Sequence, residues 1–364
     1  MSSTEPADRE TLLSLDATEL ESRVVELGGR PFHARVARRE VLERGRLDYR
    51  EMTGLPTGLR EALESEVPVL SGVEIDRTLS SDRTTKLLIR FPARGARGEV
   101  SVETVHIPPR NPSDPAGATV CVSSQAGCPV GCPFCASGLA GLSRNLEPHE
   151  ILEQYVRARA VGPISRSVVM GIGEPLLNFP ALRTALEAVH GEMGISRRRI
   201  TVSTVGYPER LRRVARERPP FQLAISLHSP FDEQRDELVP AMQGVPIEEV
   251  LEAGDDWFEV TGREVTYEIV LLGGVTDTPR HADRLVERLG GRRATVNLIP
   301  YNPTPELPFA RPAPDAVSGF HDRLRAGGLV ATVRWSRGLD GAAACGQLRP
   351  VSYTHLTLPT TPYV

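Results

Sequence analysis

Cys121 to Leu146 reads CVSSQAGCPVGCPFCASGLAGLSRNL, and the reading of this stretch decides how the rest of the chain is understood. Cys128, Cys132 and Cys135 stand in a C-x3-C-x2-C pattern on a loop rich in Gly and Pro. Thiolates spaced this closely on a turning loop are a metal-site signature. A structural zinc takes four protein ligands, commonly as two C-x2-C pairs or with histidines at matching intervals. Here no second pair follows. Three cysteines on a cubane iron–sulfur cluster would leave one iron open to a substrate. The competing reading is a structural or adventitious thiol group, which gives that open position no use.

Working outward, a regular alternation begins just before this loop. Strands are expected at ATVCVSS, SVVMGIG, RITVSTVG, FQLAISLHS, EVTYEIVLL, ATVNLIP and LVATVRW. Amphipathic helical segments lie between them, among them HEILEQYVRARA, FPALRTALEAVHG, PERLRRVARER, EEVLEAGDDWFEV, PRHADRLVERLG and DAVSGFHDRLRA. Apolar strands alternating with helices describe right-handed βα units around a parallel sheet. Six units and a closing strand are too many for a small nucleotide-binding unit and fewer than the eight of a complete barrel. The expected fold is therefore α/β, a partial (β/α)6 TIM-like barrel over 115–349. Its site lies at the C-terminal ends of the strands, where the cysteine loop falls.

Ahead of the barrel, residues 1–66 read as a small helical domain, with periodic apolar positions in TLLSLDATELESRVVELG, VARREVLERG and TGLREALESE and a stop at Gly28-Gly29. Residues 67–114 switch to alternation in VEIDRTL, TKLLIRF and VSVETVHIP, with turns at Ser80-Ser81 and Ala96-Arg97, a short β extension that ends in a Pro-rich linker. A tail over 350–364 differs from all of this. Residues 351–364 contain no Asp, Glu, Lys or Arg; foreign sequence is preferred to a natural disordered tail, and no function is given to it.

At 364 residues with a formal net charge of −4, the chain offers no global argument for nucleic-acid binding. Its arginines are nevertheless bunched, at 35, 38 and 39, at 197–199, at 210, 212 and 213, and at 334 and 337. Each bunch alone is most simply a solvated helix face, although a local basic face can bind phosphate. No apolar run approaches a membrane span, and the polar, acidic N-terminus resembles neither a secretory signal nor a transit peptide. The expectation is a cytoplasmic protein with no membrane association. Five cysteines, three of them clustered, suit reduced thiols better than a disulfide framework.

Further polar residues fall at strand ends. Gly171-Ile172-Gly173-Glu174-Pro175 follows the second barrel strand; its glycines let a backbone approach a ligand, and Glu174 can accept from an ammonium group. Ser203, Ser226, Leu227, His228 and Asn302 lie at later strand ends. A lone histidine such as His228 is usually a satisfied core or surface residue, and its place after a barrel strand moves the reading towards ligand contact. Cys121 and Cys345 would each be read alone as small buried hydrophobes. The Gly- and Ala-rich surroundings of Cys345, GLDGAAACGQL, instead allow its sulfur close to a substrate.

The cysteine pattern after a first barrel strand resembles the radical S-adenosylmethionine (SAM) superfamily. CVSSQAGC, LSRNL, GIGEPLLN, VSTVG, AISLHSP, RDELVP, NLIPYNP and AACGQL, in that order over roughly residues 20 to 349, resemble more closely the RlmN/Cfr family of RNA adenine methyltransferases. GEPLLN is similar to the RlmN branch, which methylates adenine C2; LHSP and YNPT have the flavour of the Cfr branch, which methylates C8. The closing RWSRGLDGAAACGQL departs from the family pattern, with Gly341 near a usual Ile. A non-catalytic iron–sulfur RNA-binding protein that has kept the fold is the third reading.

The resemblance implies the following. Cys128, Cys132 and Cys135 hold a [4Fe–4S] cluster, and its open iron, with Gly173, Glu174, Ser203, Ser226, Leu227, His228 and Asn302, binds SAM. Adenine C2 is electron-poor, as is the SAM methyl, so Cys345 is methylated first. A second SAM supplies a radical that takes hydrogen from that methyl, and the carbon adds to C2. Glu103 accepts the C2 proton, and Cys121 attacks Cys345 to form a transient disulfide that frees the product. The implied substrates are an unpaired adenine of 23S rRNA near the peptidyl-transferase centre and the tRNA anticodon loop, since the base must leave its stack. A flavodoxin- or ferredoxin-type electron donor and a monomeric enzyme complete the expectation.

Overall fold

The computed structural model describes residues 10–95, 97–111 and 117–349. The tail, residues 112–115 of the Pro-rich linker and Ala96 of the second expected turn lie outside these residues. Three helices come first: α1 (Ala17–Glu26), α2 (Pro31–Leu42) and α3 (Thr57–Glu66). Helix α1 begins later than its apolar pattern because Asp16 caps it. The Asp16 carboxylate accepts from the backbone of Thr18 and Glu19, both at 2.8 Å, and Glu19 returns the bond to Asp16 N.

A ten-stranded sheet follows. Strands β1 (Val73–Leu79), β2 (Thr85–Phe91) and β3 (Val100–Ile107) form an antiparallel meander, and β3 pairs antiparallel with β4 (Ala118–Cys121). The short strands β5 (Gln125–Gly127) and β6 (Leu142–Asn145) make a separate hairpin. After α4 (Pro148–Val161) the remaining barrel strands are β7 (Ile164–Val169), β8 (Ile200–Thr204), β9 (Gln222–Ser226), β10 (Val265–Leu271), β11 (Ala294–Pro300) and β12 (Val330–Val333). From β4 onward every sheet neighbour is parallel and the order is sequential, the mark of a singly wound partial barrel.

The intervening helices are α5 (Phe179–Gly191), α6 (Pro208–Arg216), α7 (Asp232–Leu238), α8 (Ile247–Thr261), α9 (Pro279–Leu289) and α10 (Pro314–Ala326). Strand β10 is buried almost throughout, as a parallel strand covered on both faces must be, whereas β12 and β1 at the sheet edges are largely open. One apolar core runs from Leu12 in the helical segment through to Leu324 of α10. No helix among the described residues is long and apolar enough to cross a membrane.

The sheet order ends at β12 on one side and β1 on the other. The segment after β12 returns across to the β1–β2 turn and is tied there. Arg337 Nε donates to Asp82 at 2.5 Å, Gly338 N to the same carboxylate at 3.0 Å, and Ser81 N to Asp340 at 2.8 Å. Burial pushes the Asp82 carboxyl up, and the hydrogen bonds from Arg337, Thr84 and Gly338 outweigh it, so the group is held well below the ordinary carboxylate range. Gly341 lets the loop lie close here, since a Cβ would stand 2.4 Å from Ser80 Oγ unless that hydroxyl moved. The β extension thus receives the loop that carries Cys345.

Candidate active site

The cysteine loop is the connection of the β5–β6 hairpin. Cys128 N donates to Gly141 O at 3.0 Å, and a Cβ on Gly127 would meet that same oxygen at 2.0 Å, so only glycine allows the closure. The LSRNL motif has a structural reason: Arg144 makes a two-pronged pair with Glu150 at 2.7 and 2.8 Å, both side chains buried, and Asn145 accepts from Gln125 Nε2 at 2.7 Å.

Cys128, Cys132 and Cys135 line one cavity together with Gly173, Glu174, Ser203, Ser226, His228, Asn302 and Cys345. Among the described residues no three His, Cys, Asp or Glu side chains converge as they would on a single metal ion. Three thiols lining one cavity are the ligand set that a cubane cluster with one open iron would take. Burial pushes the Cys128 thiol up to about 12 and raises Cys132 and Cys135 as well. Such thiols become ligands by exchanging protons for iron, the normal coupling of metal binding to deprotonation.

Glu174 sits opposite, held by the glycines around it. A Cβ on Gly173, whose φ is 107°, would meet Gln125 Cβ at 2.6 Å, and one on Gly171 would meet Val122 O at 2.7 Å. The carboxylate accepts from Leu176 N at 3.0 Å and Thr204 Oγ1 at 2.5 Å on one oxygen, and from Val205 N at 2.9 Å on the other. Burial raises its pKa despite these bonds. Three of its four acceptor positions are filled, and the free one is on Oε2. His228 adopts φ 65°, rare for a side chain, and its Nδ1 accepts from Val270 N at 3.3 Å. Burial and then Arg235 lower its pKa to about 3, so the ring is neutral.

The Cys345 loop is fastened to this wall. Ala136 N, beside Cys135, donates to Gly346 O at 2.9 Å, and Ser137 Oγ to Leu348 O at 2.7 Å. Asn302 Nδ2 donates to Cys345 O at 2.9 Å. Cys121 lies behind the cavity rather than in its lining, packed with Val105, Ile172, Ala343 and Leu348. Burial first, then the neighbouring Cys345, push its thiol up to about 12. All five cysteines are free thiols, so the expected disulfide is not formed in this structure.

Two expected site residues stand elsewhere. Leu227 is fully buried and contributes a backbone N–H to Glu268 O rather than a cavity surface. Glu103 is buried in β3, also outside the lining, where it accepts from Lys86 Nζ at 2.8 Å and Arg349 N at 2.8 Å. Its carboxylate anchors the end of the Cys345 loop. Conversely, Glu268 lines the cavity and was missed. It accepts from Ser203 Oγ at 2.7 Å and Asn297 Nδ2 at 3.3 Å. A lone carboxylate inside the largely apolar run VTYEIVLL was its only sequence signal. Arg334 points inward to Met170 Sδ at 2.8 Å, and Cys345, Glu268 and Cys121 all raise its pKa.

The radical SAM superfamily model matches residues 122–286, from the start of the cysteine loop into α9. Over 93% of this chain and 98% of the relative, the sequence is 43% identical to "Probable dual-specificity RNA methyltransferase RlmN" of Parasynechococcus marenigrum. A protein of the same name from Rhodopirellula baltica is 42% identical over 93% of this chain and 90% of its own length. The crystal structure of a radical SAM methyltransferase from Sphaerobacter thermophilus superposes with a TM-score of 0.84 at 40% identity, covering 93% of this chain and 99% of that one. With the fold, the cysteine loop and the relatives in agreement over nearly the whole length, the chain belongs to the RlmN family of radical SAM RNA methyltransferases.

Proposed function

We propose that this enzyme methylates C2 of an unpaired adenine, in 23S rRNA near the peptidyl-transferase centre and in the tRNA anticodon loop, through a methyl group carried on Cys345. The observation that carries the reading is one cavity lined by three loop thiols, Glu174 and Cys345, with Cys121 outside the lining and packed against Ala343 and Leu348 of the Cys345 loop. Cys128, Cys132 and Cys135 would hold a [4Fe–4S] cluster, and Glu174 Oε2 has the acceptor position for the SAM amino group. A cluster held by these thiols would supply SAM with one-electron reducing chemistry at this site.

The chain's own residues do the rest. Cys345 Sγ is the nucleophile that takes the methyl, because sulfur, unlike C2, is electron-rich. Asn302 fixes the carbonyl of that residue, which directs the sulfur into the cavity. Cys121, a protonated thiol at rest, attacks Cys345 Sγ only after the carbon–carbon bond exists. The S–S bond forms, the S–C bond breaks, and the electron pair passes to the released carbon, which takes up a proton. Glu103 is the proposed acceptor of the C2 proton, working from its pair with Lys86, and the unpaired electron left on the base after carbon addition would pass to the bound cluster as one-electron acceptor before Cys121 attacks.

For RNA, the accessory residues 1–66 and the arginine bunches differ in merit. The cleft between the N-terminal helices and α4–α5 is lined by six carboxylates and four arginines, a poor phosphate track. Arg35 and Arg38 are paired with Glu21 and Glu192, and Arg212 with Asp256. Arg210, Arg213 and Arg216 line a groove on α6 with Glu209 as its only acidic residue, and they form no ion pair among the described residues. We assign the phosphate grip to α6. A flavodoxin- or ferredoxin-type donor, a monomeric state and the cytoplasm, where thiols stay reduced, complete the proposal.

Anaerobically reconstituted enzyme with SAM, reductant and RNA tests it by mass spectrometry of digested nucleosides. The expected product is 2-methyladenosine in 23S rRNA and tRNA, lost in Cys345→Ala. Cluster-loaded protein that yields 8-methyladenosine, or a Cys345→Ala variant that methylates normally, contradicts the reading.

A further inference from the structure

The chain has two tryptophans, and they sit in opposite environments. Trp257 is fully buried and stacked on Phe221 at 5.6 Å, an ordinary core residue. Trp335 is 43% exposed, at the C-terminal end of β12 and so on the face where the barrel opens. A single exposed apolar residue is normally unremarkable, and the surroundings decide the matter here. Trp335 is held from both sides in sequence: Arg334 N donates to Leu298 O at 2.8 Å, and Ser336 Oγ accepts from Asn302 Nδ2 at 2.8 Å. The same Asn302 Nδ2 donates to Cys345 O. The Arg311 guanidinium lies 5.9 Å from the centroid of the Trp335 ring, and its Nη1 donates to Asn302 Oδ1 at 3.2 Å. One cavity residue therefore ties together the exposed ring, the cation beside it and the proposed methyl-carrying cysteine.

We propose that Trp335, with Arg311 beside it, is the stacking platform for an unpaired nucleobase next to the target adenine. The proposal rests on the RNA substrate inferred above and names the contact that orients it. An indole offers a wide, rigid π surface at little entropic cost, and every base has a face to stack on it. A guanidinium beside the ring adds attraction for the base and for the phosphate that follows it. A base seated there is fixed relative to Cys345 through Asn302, so stacking places its neighbour at the cavity mouth.

The test uses full-length, cluster-loaded protein under anaerobic conditions and a short RNA hairpin with adenine in its loop. Trp335→Ala weakens hairpin affinity by roughly 5- to 150-fold and raises KM for the hairpin in step, the range for losing one base–aromatic stack. Trp335→Phe recovers most of that affinity. Tryptophan emission of the wild type is quenched when the hairpin binds, and the quench disappears in Trp335→Phe, where only Trp257 is left. Cluster absorbance and circular dichroism establish that both variants are folded. A Trp335→Ala protein that binds the hairpin as tightly as wild type, or a quench that persists in Trp335→Phe, overturns the proposal while leaving RNA methylation standing. A wild type that binds and methylates no RNA overturns both.

Discussion

Glu174 illustrates how a single buried carboxylate can be kept both satisfied and available. Three backbone or hydroxyl donors fill all but one of its acceptor positions, and the residue lines the same cavity as Cys128, Cys132 and Cys135. Glu174→Gln keeps the shape but removes the charge and replaces an acceptor oxygen by an N–H₂ donor. We expect SAM affinity to fall about 10- to 150-fold, the worth of one hydrogen bond to a charged group, as read by SAM titration of the cluster-loaded protein. Unchanged affinity would remove Glu174 from the SAM site. The legibility of single residues was uneven. Glycines and polar residues at strand ends could be read, because a barrel's chemistry sits there. Glu268 could not, because one charge inside an apolar strand has no period to announce it, and Arg334, read only as part of a surface arginine bunch, turns inward to Met170 instead. Glu103 was legible only by resemblance, and in the fold it holds the Cys345 loop through Arg349 N.

Among the elements, the seven parallel strands of the barrel and the three-strand extension follow their sequence patterns closely, since each is an apolar or alternating run bounded by turn residues. The β5–β6 hairpin and α7 escaped. Two strands as short as Gln125–Gly127 and Leu142–Asn145 carry no periodicity, and Asp232–Leu238 is too short to show an amphipathic face. The hairpin's stability rests on the buried Arg144–Glu150 pair. Removing the guanidinium in Arg144→Ala leaves a buried carboxylate with weaker support from Arg94 at 3.7 Å, and costs about 3–5 kcal/mol in a denaturant titration. A loss below about 1 kcal/mol would mean water replaces the pair. The second element-scale prediction concerns the β1–β2 turn. Gly341→Ile restores the family's usual residue but drives a side chain into Ser80. It should destabilise the protein by about 1–3 kcal/mol and lower methylation more than SAM binding, because the Cys345 loop shifts while the cluster wall stays. Combining it with Ser80→Gly relieves the clash and recovers activity.

On the scale of the molecule, the fold class was readable from its alternation, and the path of the Cys345 loop was not. The pairing of Cys121 with Cys345 was expected only from resemblance, whereas the way the last loop crosses back to the extension is written in polar contacts such as Arg337–Asp82. The whole chain also titrates. Burial, ahead of the neighbouring charges, lowers His149 to about 4 and His228 to about 3. The unfolded chain takes up protons near the ordinary histidine value of about 6.5 while the folded one does not, so folding stability falls as pH drops from about 6.5 towards 4. Melting followed between about pH 7 and about pH 5 should show this decline, and His149→Gln should flatten it. A melting temperature independent of pH over that window would contradict the neutral burial of both rings.

The central claim is that Cys345 carries the methyl group before RNA is engaged. The most direct test is peptide mass analysis of the 338–349 region after cluster-loaded enzyme has met SAM and no RNA. The account predicts one methyl on Cys345, labelled when the SAM methyl is labelled and transferred to RNA added later. Unmodified Cys345 in enzyme that goes on to methylate RNA would contradict it.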